Sequence, residues 1–136
     1  MEINGVIQRK LSLLDRQVGN LRKYLEGISR ERFADDWGLR SMAERALQVA
    51  IEIIIDIAER LIASSNAGPV ATALDAIKRI EELGFIKSAA PYREMVKLRN
   101  LIVHEYEEID PNLLYAFATE RLAELLSFRN EIDRLE

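Results

Sequence analysis

Leu39-Arg40-Ser41-Met42-Ala43-Glu44-Arg45-Ala46-Leu47-Gln48-Val49-Ala50-Ile51-Glu52-Ile53-Ile54-Ile55-Asp56-Ile57-Ala58-Glu59-Arg60-Leu61-Ile62-Ala63-Ser64 is the stretch that decides the fold. Leu47, Ala50, Ile51, Ile54, Ala58, Leu61 and Ile62 recur at helical spacing and form a wide apolar face. Ile53, Ile55 and Ile57 extend that surface nearly all round. This pattern predicts a helix buried on two sides, which is a member of a bundle. Asn66-Ala67-Gly68-Pro69 ends it, because Gly and Pro both punctuate helices.

The flanking segments read the same way. Ile7, Leu11, Leu14, Val18, Leu21, Leu25 and Ile28 alternate steps of four and three, predicting a first helix over about Ile3 to Ser29. Phe33 to Gly38 breaks it, with Asp35-Asp36 as a turn before Trp37. A third helix is expected over about Val70 to Leu83. A turn at Gly84 to Ser88 follows, and then a fourth helix over about Ala89 to Tyr106, with Ser88 as its N-cap. Asp110-Pro111 reads as a cap followed by proline at the first helical position, opening a fifth helix to about Arg134. No strand pattern stands out. The expected fold class is all-α: an up-and-down bundle of about five helices in a single domain over residues 1–136.

Composition narrows the function classes. The 136 residues are 49% hydrophobic and 31% charged, an ordinary globular balance. With no cysteine there is no disulfide, thiolate nucleophile or cysteine zinc site. The beginning Met1-Glu2-Ile3-Asn4-Gly5 lacks a secretory pattern, and charges interrupt the Ile53–Ile55 run too soon for a membrane span. A cytoplasmic protein that touches no membrane is expected. A net charge of −4 argues against a protein that coats DNA or RNA, and no DNA partner is expected. It leaves room for an enzyme that meets a few phosphates at one site.

Chemistry concentrates in Arg99-Asn100-Leu101-Ile102-Val103-His104-Glu105-Tyr106. His104 is the single histidine. In RNA cleavage a histidine can take the 2′-hydroxyl proton, and an arginine fork can stabilise the charge that builds on the phosphate. Asn100 can orient the histidine or bind phosphate. Arg99, Asn100 and His104 thus form a set for cleavage without a metal or cofactor. On a straight helix Arg99 and His104 stand about 140° apart, so they share no narrow stripe. One histidine also limits acid–base shuttling, and a dimer that faces two such helices would supply a second. Between Lys87 and His104 the charges are Lys87, Arg93, Lys97 and Arg99 against Glu94, a basic helix in an acidic chain. Lys97 and Arg93, together with Tyr92, are candidates for lining a substrate groove, against the alternative of a solvated surface.

The motif then acquires a family. Arg99 to Tyr106 matches the R-x-x-x-x-H-x-Y pattern of HEPN proteins, and the chain most resembles the HepT-like toxins of that superfamily. Arg40 to Glu52, Ile55 to Ala58 and the Gly84-Phe85-Ile86 turn resemble the same family, so the likeness covers nearly the whole chain. The resemblance implies a HEPN-like four-helix core and a two-fold homodimer with the motif helices near the cleft. It implies a metal-independent endoribonuclease toxin of a type II/VII-like toxin–antitoxin system, with Arg99 and His104 catalytic and Asn100 and Tyr106 in support. It also implies an MntA-like nucleotidyltransferase antitoxin that transfers AMP to Tyr106. The added bulk and negative charge would block a phosphate site directly. The competing reading is a non-catalytic dimer that binds a nucleotidyltransferase or a nucleotide.

Glu52 and Asp56 lie one turn apart and read as structural or interface carboxylates, with Arg45 or Arg60 as partners. Trp37 and Tyr24 read as packing or interface aromatics, with stacking on RNA as the alternative.

Overall fold

Helix α3, Trp37–Ser64, is the axis of the fold. Ala43, Ala46, Leu47, Ala50, Ile51, Ile53, Ile54, Ile55, Ile57, Ala58, Leu61 and Ile62 are all buried, a wide face that leaves only a strip with Arg45, Glu52, Glu59 and Arg60 exposed. Its start is fixed by Asp36, whose carboxylate accepts from the Leu39 N–H at 2.9 Å. The computed structural model describes residues 5–104 and 108–135. Around α3 lie α1 (Gly5–Leu25), α2 (Arg30–Asp35), α4 (Ala73–Glu82), α5 (Ala90–His104), α6 (Pro111–Tyr115) and α7 (Leu122–Asp133). Among the described residues there is no strand. The fold is an all-α bundle, as expected.

The longer helices pack their apolar faces into a continuous core. α1 lays Ile7, Leu11, Leu14, Val18, Leu21 and Leu25 against α3 and α7. α4 and α5 pack on α3 and on each other. Gly84 supplies the positive φ of 85° that turns the chain between them, a conformation that other residues rarely adopt. Burial of these apolar stripes is the main stabilising term. The carboxylate of Asp110 accepts from the Asn112 N–H at 2.9 Å, so the Asp-Pro start of the last helical segment is built as its sequence reads.

Two features differ from the sequence reading. The break after the first helix contains α2, capped by the Ser29 hydroxyl, which accepts from the Arg32 N–H at 3.1 Å. It buries only Phe33, whose ring meets Tyr115 at 5.3 Å, while the Tyr115 hydroxyl donates to the Ile28 carbonyl at 2.7 Å. A six-residue helix with one apolar anchor has no periodicity to read. The expected fifth helix is divided by a π-helical turn over Ala116–Glu120. There the Arg121 N–H bonds the Ala116 carbonyl five residues back, at 2.9 Å.

Candidate active site

α5 carries the motif. Tyr92, Met95, Val96 and Leu98 seat it against the bundle, and the Glu81 carboxylate accepts from the Ala89 N–H at 2.7 Å where the helix begins. The Ser88 hydroxyl accepts a long bond from the Ala90 N–H at 3.4 Å, but the helix begins at Ala90 and its first bond runs from the Arg93 N–H to the Ala89 carbonyl, so Ser88 stands one residue before the N-cap position expected for it. Tyr92 is a correction. It is buried against Phe128 at 5.2 Å, with its hydroxyl near Ser127 and Glu131, and therefore lines no groove. Burial, then the nearby Glu131 and Glu124, push its phenol up to about 12. Arg93 and Lys97 are exposed.

Helix geometry sorts the polar residues of α5. Arg93, Lys97, Asn100 and His104 fall within about 60° of one another, forming a stripe about 16 Å long. Arg93, Lys97 and His104 are exposed and Asn100 is half-buried. Glu94, the one acidic member of the helix, is engaged by Arg121, which also holds Glu124. The stripe is thus left basic. Tyr106 lies outside the described residues.

Arg99 stands on another side of the helix, half-buried. Its Nε is sealed from solvent and has no hydrogen-bond partner among the described residues. The comparison with other half-buried arginines is informative. Arg30 meets Glu120, Arg40 meets Glu108, Arg79 meets Glu82, Arg121 meets Glu94 and Glu124, and Arg129 meets Asp15 and Asp133. Arg99 meets no carboxylate among the described residues. A buried donor left unpaired is costly, and functional sites are where such costs are retained. The structure does not bring Arg99 and His104 into contact within one chain; they share the last turns of α5 but face different ways.

At this end of the molecule the N-terminal turns of α3 come close to the chain after α5. Arg40 pairs with Glu108 at 3.6 Å, and Trp37, Arg40, Ser41, Glu44, Glu108, Ile109 and Leu114 line a pocket of about 200 Å³. Burial first, and Glu108 after it, raise the Glu44 carboxyl above its ordinary range, with Arg40 opposing. The setting of Glu44 depends on Glu108, which is distant in sequence, and no local pattern signals it. Glu52 is exposed and accepts from Gln48 at 3.2 Å. Burial would raise Asp56, but hydrogen bonds from Lys10 and Arg60, both at 2.8 Å, outweigh it and lower the carboxyl. The pairing with Arg60 is the one expected.

The sequence profile described as ribonuclease HepT-like matches residues 14–132. The chain belongs to the ribonuclease HepT-like family. A tRNA nuclease HepT from Aphanizomenon flos-aquae (strain 2012/KM1/D3) is 31% identical to this HepT-like chain over 117 residues, covering 81% of it and 76% of the relative. Among solved structures, a toxin–antitoxin crystal structure with AMP-PNP superposes with a TM-score of 0.89 at 22% identity, covering 96% of this chain and 99% of that one. A tri-AMPylated Shewanella oneidensis HEPN toxin in complex with MNT antitoxin gives a TM-score of 0.88 at 23% identity, with 97% and 99% covered. These two likenesses establish the HEPN bundle as the fold of this HepT-like protein.

Proposed function

We propose that this chain is an endoribonuclease toxin that cleaves RNA with Arg99 and His104 and without a metal ion. The observation that carries the reading is the half-buried Arg99, which meets no carboxylate among the described residues, on the helix that presents His104 from a basic stripe. His104 takes the proton of a ribose 2′-hydroxyl, and that oxygen attacks the adjacent phosphorus. The Arg99 guanidinium meets the charge that accumulates on the phosphate oxygens. The 5′-oxygen leaves with a proton, giving a 2′,3′-cyclic phosphate and a 5′-hydroxyl. Asn100, half-buried on the His104 stripe, orients the imidazole or the phosphate. Arg93 and Lys97 hold neighbouring phosphates.

The site is completed in a homodimer. Leu101 and Val103 are 37% and 43% exposed and flank the His104 stripe on either side, so a second copy seated over the stripe would cover both. His104 of the partner subunit then supplies the acid for the leaving oxygen. The regulatory partner is an MntA-like nucleotidyltransferase antitoxin that adds AMP to Tyr106. The tRNA nuclease name of one relative and the AMPylated toxin of another support this reading.

The test uses purified, unmodified protein and single-stranded RNA in a chelator. Cleavage that vanishes in His104→Ala and in Arg99→Ala is expected, together with growth arrest on expression alone. RNA left intact by a protein that still arrests growth overturns the nuclease reading. Intact mass with and without the antitoxin checks the control: mass should rise in units of AMP, and Tyr106→Phe should remove the rise.

A further inference from the structure

The pocket at the start of α3 has a chemistry that the cleavage reaction does not use. Trp37, the single tryptophan, is 73% exposed at its rim. Phe33, Tyr92, Phe117 and Phe128, by contrast, are buried in the core. The packing reading of Trp37 is therefore excluded. Its backbone is fixed in the first turn of a long, capped helix. Deeper in the same pocket, Glu44 is half-buried and accepts no hydrogen bond among the described residues. Its cationic neighbour Arg40 is already engaged by the Ala34 carbonyl and by Glu108. Ser41 adds a hydroxyl to the lining.

An aromatic face in one pocket with a carboxylate that accepts no hydrogen bond among the described residues matches a nucleobase with N–H donors on its edge. The ring stacks on the indole and the edge donates to the carboxylate. A phosphate fits poorly, because Glu44 and Glu108 both face the space. Guanine presents two adjacent donors to the two oxygens of a carboxylate. Adenine and cytosine present an amine. Uracil has no exocyclic amine. The pocket is also close in the chain to the reacting groups, since Glu108 follows His104 by four residues.

We propose that Trp37, Ser41 and Glu44 form a base-binding subsite that takes an amino-bearing nucleobase of the RNA substrate, guanine best. The proposal rests on the ribonuclease reading for the identity of the strand, but binding of a base here requires no cleavage. The site would give the enzyme a sequence preference beside the scissile phosphate, which neither Arg99 nor His104 can supply.

The tryptophan is its own probe. GMP, AMP, CMP and UMP are titrated into the full-length protein while Trp37 emission is followed, with correction for nucleotide absorbance. GMP is expected to quench saturably and UMP not at all, with GMP affinity falling about tenfold in Glu44→Gln. In cleavage assays on guanine-containing single strands, Trp37→Ala is expected to raise KM about tenfold, with the loss falling on KM. Circular dichroism checks that the variants fold, and an exposed indole makes this the expected result. Emission that no nucleotide moves, or moves equally with all four, overturns the subsite. So does an unmoved, blue-shifted emission that shows Trp37 covered by another chain. Cleavage without quenching removes the subsite and leaves the nuclease reading. Quenching without cleavage does the reverse.

Discussion

Replacing Arg99 with methionine should make the protein more stable while it abolishes cleavage. The guanidinium has a sealed Nε with no partner and no carboxylate among the described residues. Leaving such a donor unmet costs about 1–3 kcal/mol. Methionine keeps an unbranched apolar stem of similar reach and removes the donor. Arg99 is only half-buried, so the lower end of the range applies, about 1 kcal/mol of added stability. For a chain of this size that corresponds to a melting temperature higher by about 4 °C. Loss of the group that meets phosphate charge should lower kcat about 10²- to 10³-fold. Thermal denaturation and RNA cleavage in a chelator, measured in one buffer on the same preparations, read both effects. A melting temperature that falls by several degrees would refute the reasoning, because it would mean that the guanidinium is held by a structural partner. Increased stability with full activity would refute it from the other side.

Three further outcomes are expected. Arg93→Gln with Lys97→Gln should lessen the salt dependence of single-stranded RNA binding by about 1.4 in the log–log slope, read from affinities across a salt series. The Asp56 carboxyl is held below its ordinary value, so its pairing with Lys10 and Arg60 stabilises the fold above the unfolded-state pKa and is lost as pH falls through the folded-state one. Asp56→Asn should accordingly lower the melting temperature at pH 7 and leave it unchanged at the acid end, in a melting series against pH. Glu44 has the opposite sign: its carboxyl is raised, so its ionisation opposes folding as pH rises past the ordinary carboxylate range. Glu44→Gln should raise the melting temperature at pH 7, with the gain disappearing towards pH 4.

What the sequence disclosed follows from the range of the forces involved. α3 was readable because its burial is written in consecutive isoleucines, and the Asp110-Pro111 start because a cap acts on its own next residues. The turn at Gly84 was readable for the same reason. α2 was not, since Phe33 is its only buried residue and gains its partner, Tyr115, from the far end of the chain. The proposed site was drawn from one motif. Its electrostatics were not legible there. That Glu94 is neutralised by Arg121, or that Arg129 meets Asp15, depends on residues brought together only by packing. Arg99 is distinguished by lacking such a partner among the described residues, and that contrast exists only once the other arginines have found theirs.

The wide turn over Ala116–Glu120 bears on how this chain tolerates insertions and deletions. One extra residue in a turn shifts everything downstream by about 100° around the helix axis. α6 can thereby lean on α2 and α3 while α7 leans on α1. A one-residue deletion here would not break a helix; it would regularise one. The cost would appear at a distance, as Leu125, Phe128 and Ile132 rotated off α1 and Arg121 swung away from Glu94. Length in this segment is therefore under a constraint that composition is not. Substitutions in it should be tolerated where a change in length is not, although the gap would look harmless in any alignment.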